Sequence, residues 1–299
     1  MTNFNNYFQI DGQEYVNVLL ETDTLLFLDP NKIKKVKTKL FNKKLAESKI
    51  MAYFLNVNRL YKEGKKNLAF SLIDCSKEIN ATRLGYSSGK PFGKGASADI
   101  LDEVFSSIQK LGDLDDSLLK QPCLIPLFVE NFGSDRFSDL ITNIICKELG
   151  EFTYNICKKY GIQDKTKDFK LDGFYDIDEQ QWKPITVRLP YDDKGDPIIL
   201  VPKEMTVSKY DFTVNEYIGK VILVQKQMEH LERKSPLIKT KWVKSRNEFV
   251  YSPPSKKLLR EVEIRDKYPI KGGSKSYALE ESMRQPHLLI QYIRFVENR

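Results

Sequence analysis

The sequence predicts an α+β protein. Apolar residues recur at helical spacing through much of the first 161 residues, and the period then shortens to strand-like alternation between about 162 and 230. Charge marks a third segment. The chain carries 48 Lys+Arg against 41 Asp+Glu, a net +7, yet residues 231–299 alone hold 16 basic and 8 acidic side chains. The expected organisation is a mainly helical part over 1–161, a β-containing part over 162–230 and a basic region over 231–299.

Taken in order, Tyr15–Leu20 and Leu25–Leu28 read as two short strands. Asp29-Pro30 is a helix-start signal, a capping carboxylate followed by proline at the first helical position. Ile50, Phe54, Val57 and Tyr61 lie on one helical face, and Gly64 ends that helix. A short helix through Leu68 and Leu72 follows. Ala81–Gly95 holds four glycines and a proline and reads as a loop, after which Ser97 caps a helix striped by Ile100, Val104, Phe105 and Ile108. Leu124–Val129 reads as a buried strand. The longest helix is expected from Ser134 to Tyr160, stopped by Gly161. Trp182–Leu189 and Pro197–Val201 flank the turn-rich Tyr191–Asp196 and suggest a hairpin. Helices are expected over Asn215–Glu232 and Leu288–Val296, with prolines and Gly272-Gly273 breaking the chain between them.

Composition narrows the function classes. A hydrophobic fraction of 41% and a charged fraction of 30% describe a soluble globular chain. No apolar run approaches the roughly 18 residues of a membrane span, and Met1-Thr-Asn-Phe-Asn lacks the features of a signal peptide. Four cysteines without a Cys-x-x-Cys pair, beside only two histidines, point to a cytoplasmic protein with reduced thiols and without a zinc site or cofactor.

Phosphate-loop motifs fail on spacing. Gly85-Tyr-Ser-Ser-Gly89-Lys90 has three residues between its glycines where a Walker A loop needs four, and Pro91 replaces the magnesium-binding hydroxyl. Gly93-Lys-Gly95-Ala-Ser-Ala98 matches G-x-G-x-x-A, but no convincing strand precedes it. What remains is a generic anion site, with Arg83, Lys90 and Lys94 beside the free N–H groups of the Ser97 helix start, or else a connecting loop.

Carboxylates offer a second chemistry. Asp135, Asp139 and Asn143 share one helix face at i, i+4 and i+8, a set of oxygens able to hold magnesium. On the structural reading, Asp135 complements the positive helix N-terminus and Asp139 sits opposite the core stripe. Asp172, Asp176, Asp178 and Glu179 cluster too, but Lys183 is too far along for the PD-(D/E)xK pattern, and Lys203 has no acidic partner at the right spacing. His230 and His287 have no nucleophile signature around them.

The basic excess concentrates in Lys239–Lys275, with 11 basic and 4 acidic residues interleaved with Trp242, Phe249, Tyr251 and Tyr268. A second run holds Lys32, Lys34, Lys35, Lys37, Lys39, Lys43 and Lys44 without an acid. Such patches favour polyanions by counterion release. Lys239, Lys241, Lys244 and Arg246 are the expected nucleic-acid contacts; a solvated lysine-rich face is the alternative.

Four phrases, Asp23-Thr-Leu-Leu-Phe-Leu-Asp-Pro30, Thr82-Arg-Leu-Gly-Tyr-Ser87, Ser134-Asp-Arg-Phe-Ser-Asp-Leu-Ile-Thr-Asn-Ile-Ile145 and Ile199-Leu-Val-Pro-Lys203, resemble a prokaryotic family found near phage-defence and mobile elements. The resemblance covers about residues 10–205. It implies a component of an anti-phage system that binds nucleic acid or a protein partner and acts with a nuclease or ATPase. Longer members of that family add a C-terminal PD-(D/E)xK-like nuclease domain, for which the last hundred residues here show no matching pair. The alternative expectation is a magnesium-dependent nuclease built from scattered carboxylates, Asp135 and Asp139 first among them.

Overall fold

The computed structural model describes residues 1–73, 79–85, 102–103, 105–106, 109, 121–130, 132–269 and 273–299. Among the described residues the fold is α+β, with helices predominating over three two-stranded antiparallel sheets. The chain forms two compact units where the sequence suggested three segments. The first comprises mainly residues 1–109 and 132–210, the second mainly 124–131 and 211–299.

In the first unit, α1 (Phe4–Phe8) precedes β1 (Phe27–Leu28), which pairs with β4 (Thr206–Val207). The Asp29 carboxylate accepts the Asn31 N–H at 2.9 Å and starts the expected turn, a 3₁₀ helix over Pro30–Lys35. Helix α2 (Lys43–Lys62) starts at Asn42, whose side chain accepts the Leu45 N–H, and buries Ala46, Ile50, Tyr53, Phe54, Val57 and Tyr61. Gly64 ends it with φ +71, a left-handed conformation that glycine adopts without strain. α3 (Lys66–Ile73) follows.

The expected Ser134–Tyr160 helix is two helices, α4 (Ser134–Ile144) and α5 (Cys146–Lys159). The break falls at Ile145, with φ −108 and ψ 18, where consecutive β-branched side chains weaken helical preference. α5 packs on the hairpin of β2 (Thr166–Asp176) and β3 (Gln181–Pro190). The approach is close: a Cβ on Gly150 would lie 3.0 Å from Val187 Cγ1. Between α2 and α5 the core holds an ion pair, Lys49 Nζ to Glu148 Oε1 at 2.8 Å, with side chains only 4% and 0% exposed. The Lys49 ammonium also stands 4.7 Å from the Phe174 ring centroid.

Three expected strands do not form; in the first two, backbone groups find partners outside any ladder. Tyr15–Leu20 makes single bridges, at Tyr15 to Pro202 and at Leu19 to Asn3. Ile198–Val201 is fully buried, but its N–H groups go singly to the Pro190 and Ala81 carbonyls and to Thr153 Oγ1. The partner of β3 is therefore β2, on its other side. Pro122–Leu127 is a 3₁₀ helix, because Pro122 and Pro126 lack the N–H a strand would need.

In the second unit, α6 runs as Val214–Tyr217, a π-helical turn over Ile218–Ile222 and Leu223–Glu232. The hairpin of β5 (Lys239–Val243) and β6 (Glu248–Ser252) follows. α7 begins at Lys256–Leu259 and continues as a π stretch over Arg260–Arg265. α8 (Gly273–Arg284) and the expected terminal helix α9 (His287–Glu297) complete the unit. Tyr217 and Tyr292 stack at 4.9 Å in its core, and the Tyr217 hydroxyl meets Ser282 Oγ at 2.8 Å. The π turn opens backbone groups to side chains: Lys256 Nζ donates to the Gly219 carbonyl at 2.6 Å and Arg260 to that of Asn215 at 3.2 Å. Around them lies an ionic cluster, in which Lys226 meets Glu281 at 2.9 Å and Arg284 reaches both Glu281 and Glu229.

Candidate nucleic-acid interface

The expected nucleic-acid contacts fall together on the β5–β6 ribbon. Alternation along paired strands sorts its side chains into two faces. Thr240 opposes Tyr251 and Trp242 opposes Phe249 on one face, while Lys239 opposes Ser252 and Lys241 opposes Val250 on the other. Lys244 and Arg246 occupy the turn, which Asn247 closes at φ +50, a conformation asparagine tolerates better than most residues. The only carboxylate on the ribbon is Glu248, 3.8 Å from Arg246.

The ribbon is exposed on both faces. Trp242, Phe249 and Tyr251 show 43%, 56% and 42% of their surface to solvent, values normally confined to contact surfaces when three large rings lie side by side. Trp242 and Phe249 hold each other edge-on with centroids 4.8 Å apart. At the base of the ribbon the Lys234 ammonium stands 5.2 Å from the Tyr251 centroid. Cations thus bracket the aromatic row, with Lys234 at one end and the turn at the other.

The rest of the basic segment is partly structural. Lys256 caps the Gly219 carbonyl, Lys267 pairs with Glu263 at 2.6 Å and Lys275 donates to the Val129 carbonyl at 2.6 Å. Tyr268 donates to Glu280. In the N-terminal lysine run, Lys43 donates to the Val36 carbonyl at 2.7 Å and Lys34 pairs with Glu47.

Arg83 is held by an internal carboxylate. Its Nη2 lies 2.9 Å from Asp192 Oδ2, with the two side chains 10% and 1% exposed. Asp192 Oδ1 also accepts the N–H groups of Lys194 and Asp196. This ties the Tyr191–Asp196 turn to the start of the glycine loop and takes the Arg83 charge. Lys90, Lys94 and the Ser97 helix start lie outside the described residues.

The carboxylates of α4 do not assemble as a magnesium site would require. Asn143 turns its amide to the Asp139 carbonyl at 2.9 Å, and Asp139 is half-buried on the least buried face of α4, with Asp135 and Arg136. Asp135 and Asp23 instead approach each other beside Gly85: a Cβ there would lie 3.2 and 3.9 Å from their carboxylate oxygens. Burial, and then the Asp23 charge, push the Asp135 carboxyl above its ordinary value. Burial and the Asp23 charge thus oppose the pull of the helix N-terminus on this carboxylate. Asp176 and Glu179 both pair with Lys183 in the β2–β3 turn. Among the described residues no group of three or more His, Cys, Asp or Glu side chains could hold a metal ion.

His230 has neighbours the sequence did not reveal. Its Nδ1 lies 2.7 Å from Ser235 Oγ, and its Nε2 3.6 Å from Glu263 Oε1. The order resembles a hydrolase relay, but the serine hydroxyl accepts the Leu237 N–H and Lys267 already holds Glu263. The set fastens the end of α6.

A family model, Domain of unknown function (DUF8370), matches residues 8–213. The chain belongs to this family. The DUF8370 match coincides closely with the first unit, and the ribbon lies beyond it. No curated protein and no solved structure matches the chain. No helix among the described residues is long and apolar enough to cross a membrane.

Proposed function

We propose that this chain is a nucleic-acid-binding component of a prokaryotic anti-phage system, acting beside a separate nuclease or ATPase. One observation carries the binding half of this reading: the β5–β6 ribbon places Lys239, Lys241, Lys244 and Arg246 on a solvent-exposed element with three exposed rings. The defence context rests on the resemblance of the four phrases between Asp23 and Lys203.

Fluorescence anisotropy of a labelled oligonucleotide against salt tests the proposal. Four phosphate contacts give a slope of log K on log salt of about −3 for a single strand. Neutralising Lys239, Lys241, Lys244 and Arg246 together to glutamine should remove most of that slope. A flat salt response, or unchanged affinity in the quadruple variant, overturns the proposal.

A further inference from the structure

We propose that the Trp242/Phe249/Tyr251 face of the ribbon is a stacking platform for unpaired bases, so that the ligand is single-stranded nucleic acid. This rests on the nucleic-acid reading above and names its substrate class. A ribbon lysine can meet any phosphate, paired or not. Rings are different, since a base pair inside a duplex already has both faces covered by its neighbours, and only an unpaired base offers a face to an aromatic side chain.

The ribbon is built for the second kind of contact. Among the described residues its aromatic face carries three rings 42–56% exposed on a row two residue pairs long. Lys234 at the base and Lys244 and Arg246 at the turn give a single strand a cation at either end of the row. Charge decides between occupants: an apolar protein surface docking here would have to desolvate these cations, whereas a polyanion neutralises them.

The test uses the full chain and three labelled probes of equal length: an oligothymidylate, a duplex and an abasic deoxyribose-phosphate strand. The oligothymidylate should bind at least about tenfold more tightly than either other probe at the same salt. Phe249→Ala, on the exposed ribbon, should weaken oligothymidylate binding about fivefold or more and leave abasic binding unchanged. With Trp182→Phe, Trp242 is the only tryptophan, and its emission should be quenched by oligothymidylate and not by the abasic strand. Anisotropy on the unmodified chain gives the answer if Trp182→Phe fails to fold. Equal affinity for thymidylate and abasic strands, or for duplex, overturns the stacking platform and leaves polyanion binding standing. Binding of none of the probes overturns both.

Discussion

The Lys49–Glu148 pair permits a double-mutant cycle whose outcome is set by burial. At 2.8 Å, with side chains 4% and 0% exposed, each charge is compensated by the other inside the core. Among the described residues no second side chain hydrogen-bonds to either. Removing one leaves the other buried and uncompensated, so Lys49→Met or Glu148→Leu alone should each cost about 3–5 kcal/mol. Removing both restores an apolar core of similar volume, and the double variant should match the wild type or exceed it by about 1–4 kcal/mol. With urea slopes of roughly 2–3 kcal/mol/M, each single variant should lower the midpoint by about 1–2.5 M, while the double variant should not. The pH dependence gives a second readout. Burial, opposed by Lys49, pushes the Glu148 carboxyl above its ordinary value. The stability tied to a raised carboxyl is fully present below the ordinary glutamate range and is lost as pH rises through the folded value. The advantage of the double variant should therefore grow from mildly acidic to neutral pH. Additive single effects of less than about 1 kcal/mol each would refute the reasoning.

Other sites give simpler expectations. Burial alone would raise Glu14, but Lys159 and the Tyr160 hydroxyl hold its carboxyl down to about 2. Its contribution is present above the ordinary glutamate value and lost as pH falls toward 2, so Glu14→Gln should flatten melting temperature against pH in that window. Asp135→Asn should raise the melting temperature near neutrality, because burial and Asp23 penalise the charged form, with the gain vanishing below the ordinary aspartate range; a loss at neutrality would restore the helix-dipole account. Arg83→Ala should destabilise by about 3 kcal/mol in urea titrations, because it strands the buried Asp192 carboxylate, and should leave oligonucleotide affinity unchanged.

Elements whose information is local were legible in the sequence. Helix α2 announces itself through Ile50, Phe54, Val57 and Tyr61 and stops at Gly64; Asp29-Pro30 starts its turn as written. Ile198–Val201 looks like a strand because it is apolar, yet its hydrogen-bond partners lie at Ala81, Thr153 and Pro190, which no local pattern encodes. β2 escapes notice because most of its residues through Lys170 are exposed and charged, with little alternation to read. The ribbon's rings and cations are countable in the sequence. Their sorting into faces follows only from the register, since a strand exposed on both sides shows no apolar period. Arg83 stands beside a glycine loop in sequence, while its partner lies 109 residues away.

The π turn in α6 sets the rotation of everything after it. In regular α winding each residue advances about 100° around the axis, whereas a π turn accommodates an extra residue with little net advance. Tyr217, which stacks on Tyr292, lies before the turn; Lys226, which meets Glu281, lies after it. Winding the same residues as an unbroken α-helix would swing Lys226 by about 100° away from α8, with every side chain still present. The ionic cluster of this unit is therefore specified by winding as much as by composition: one turn wound regularly, and its charges face the wrong way.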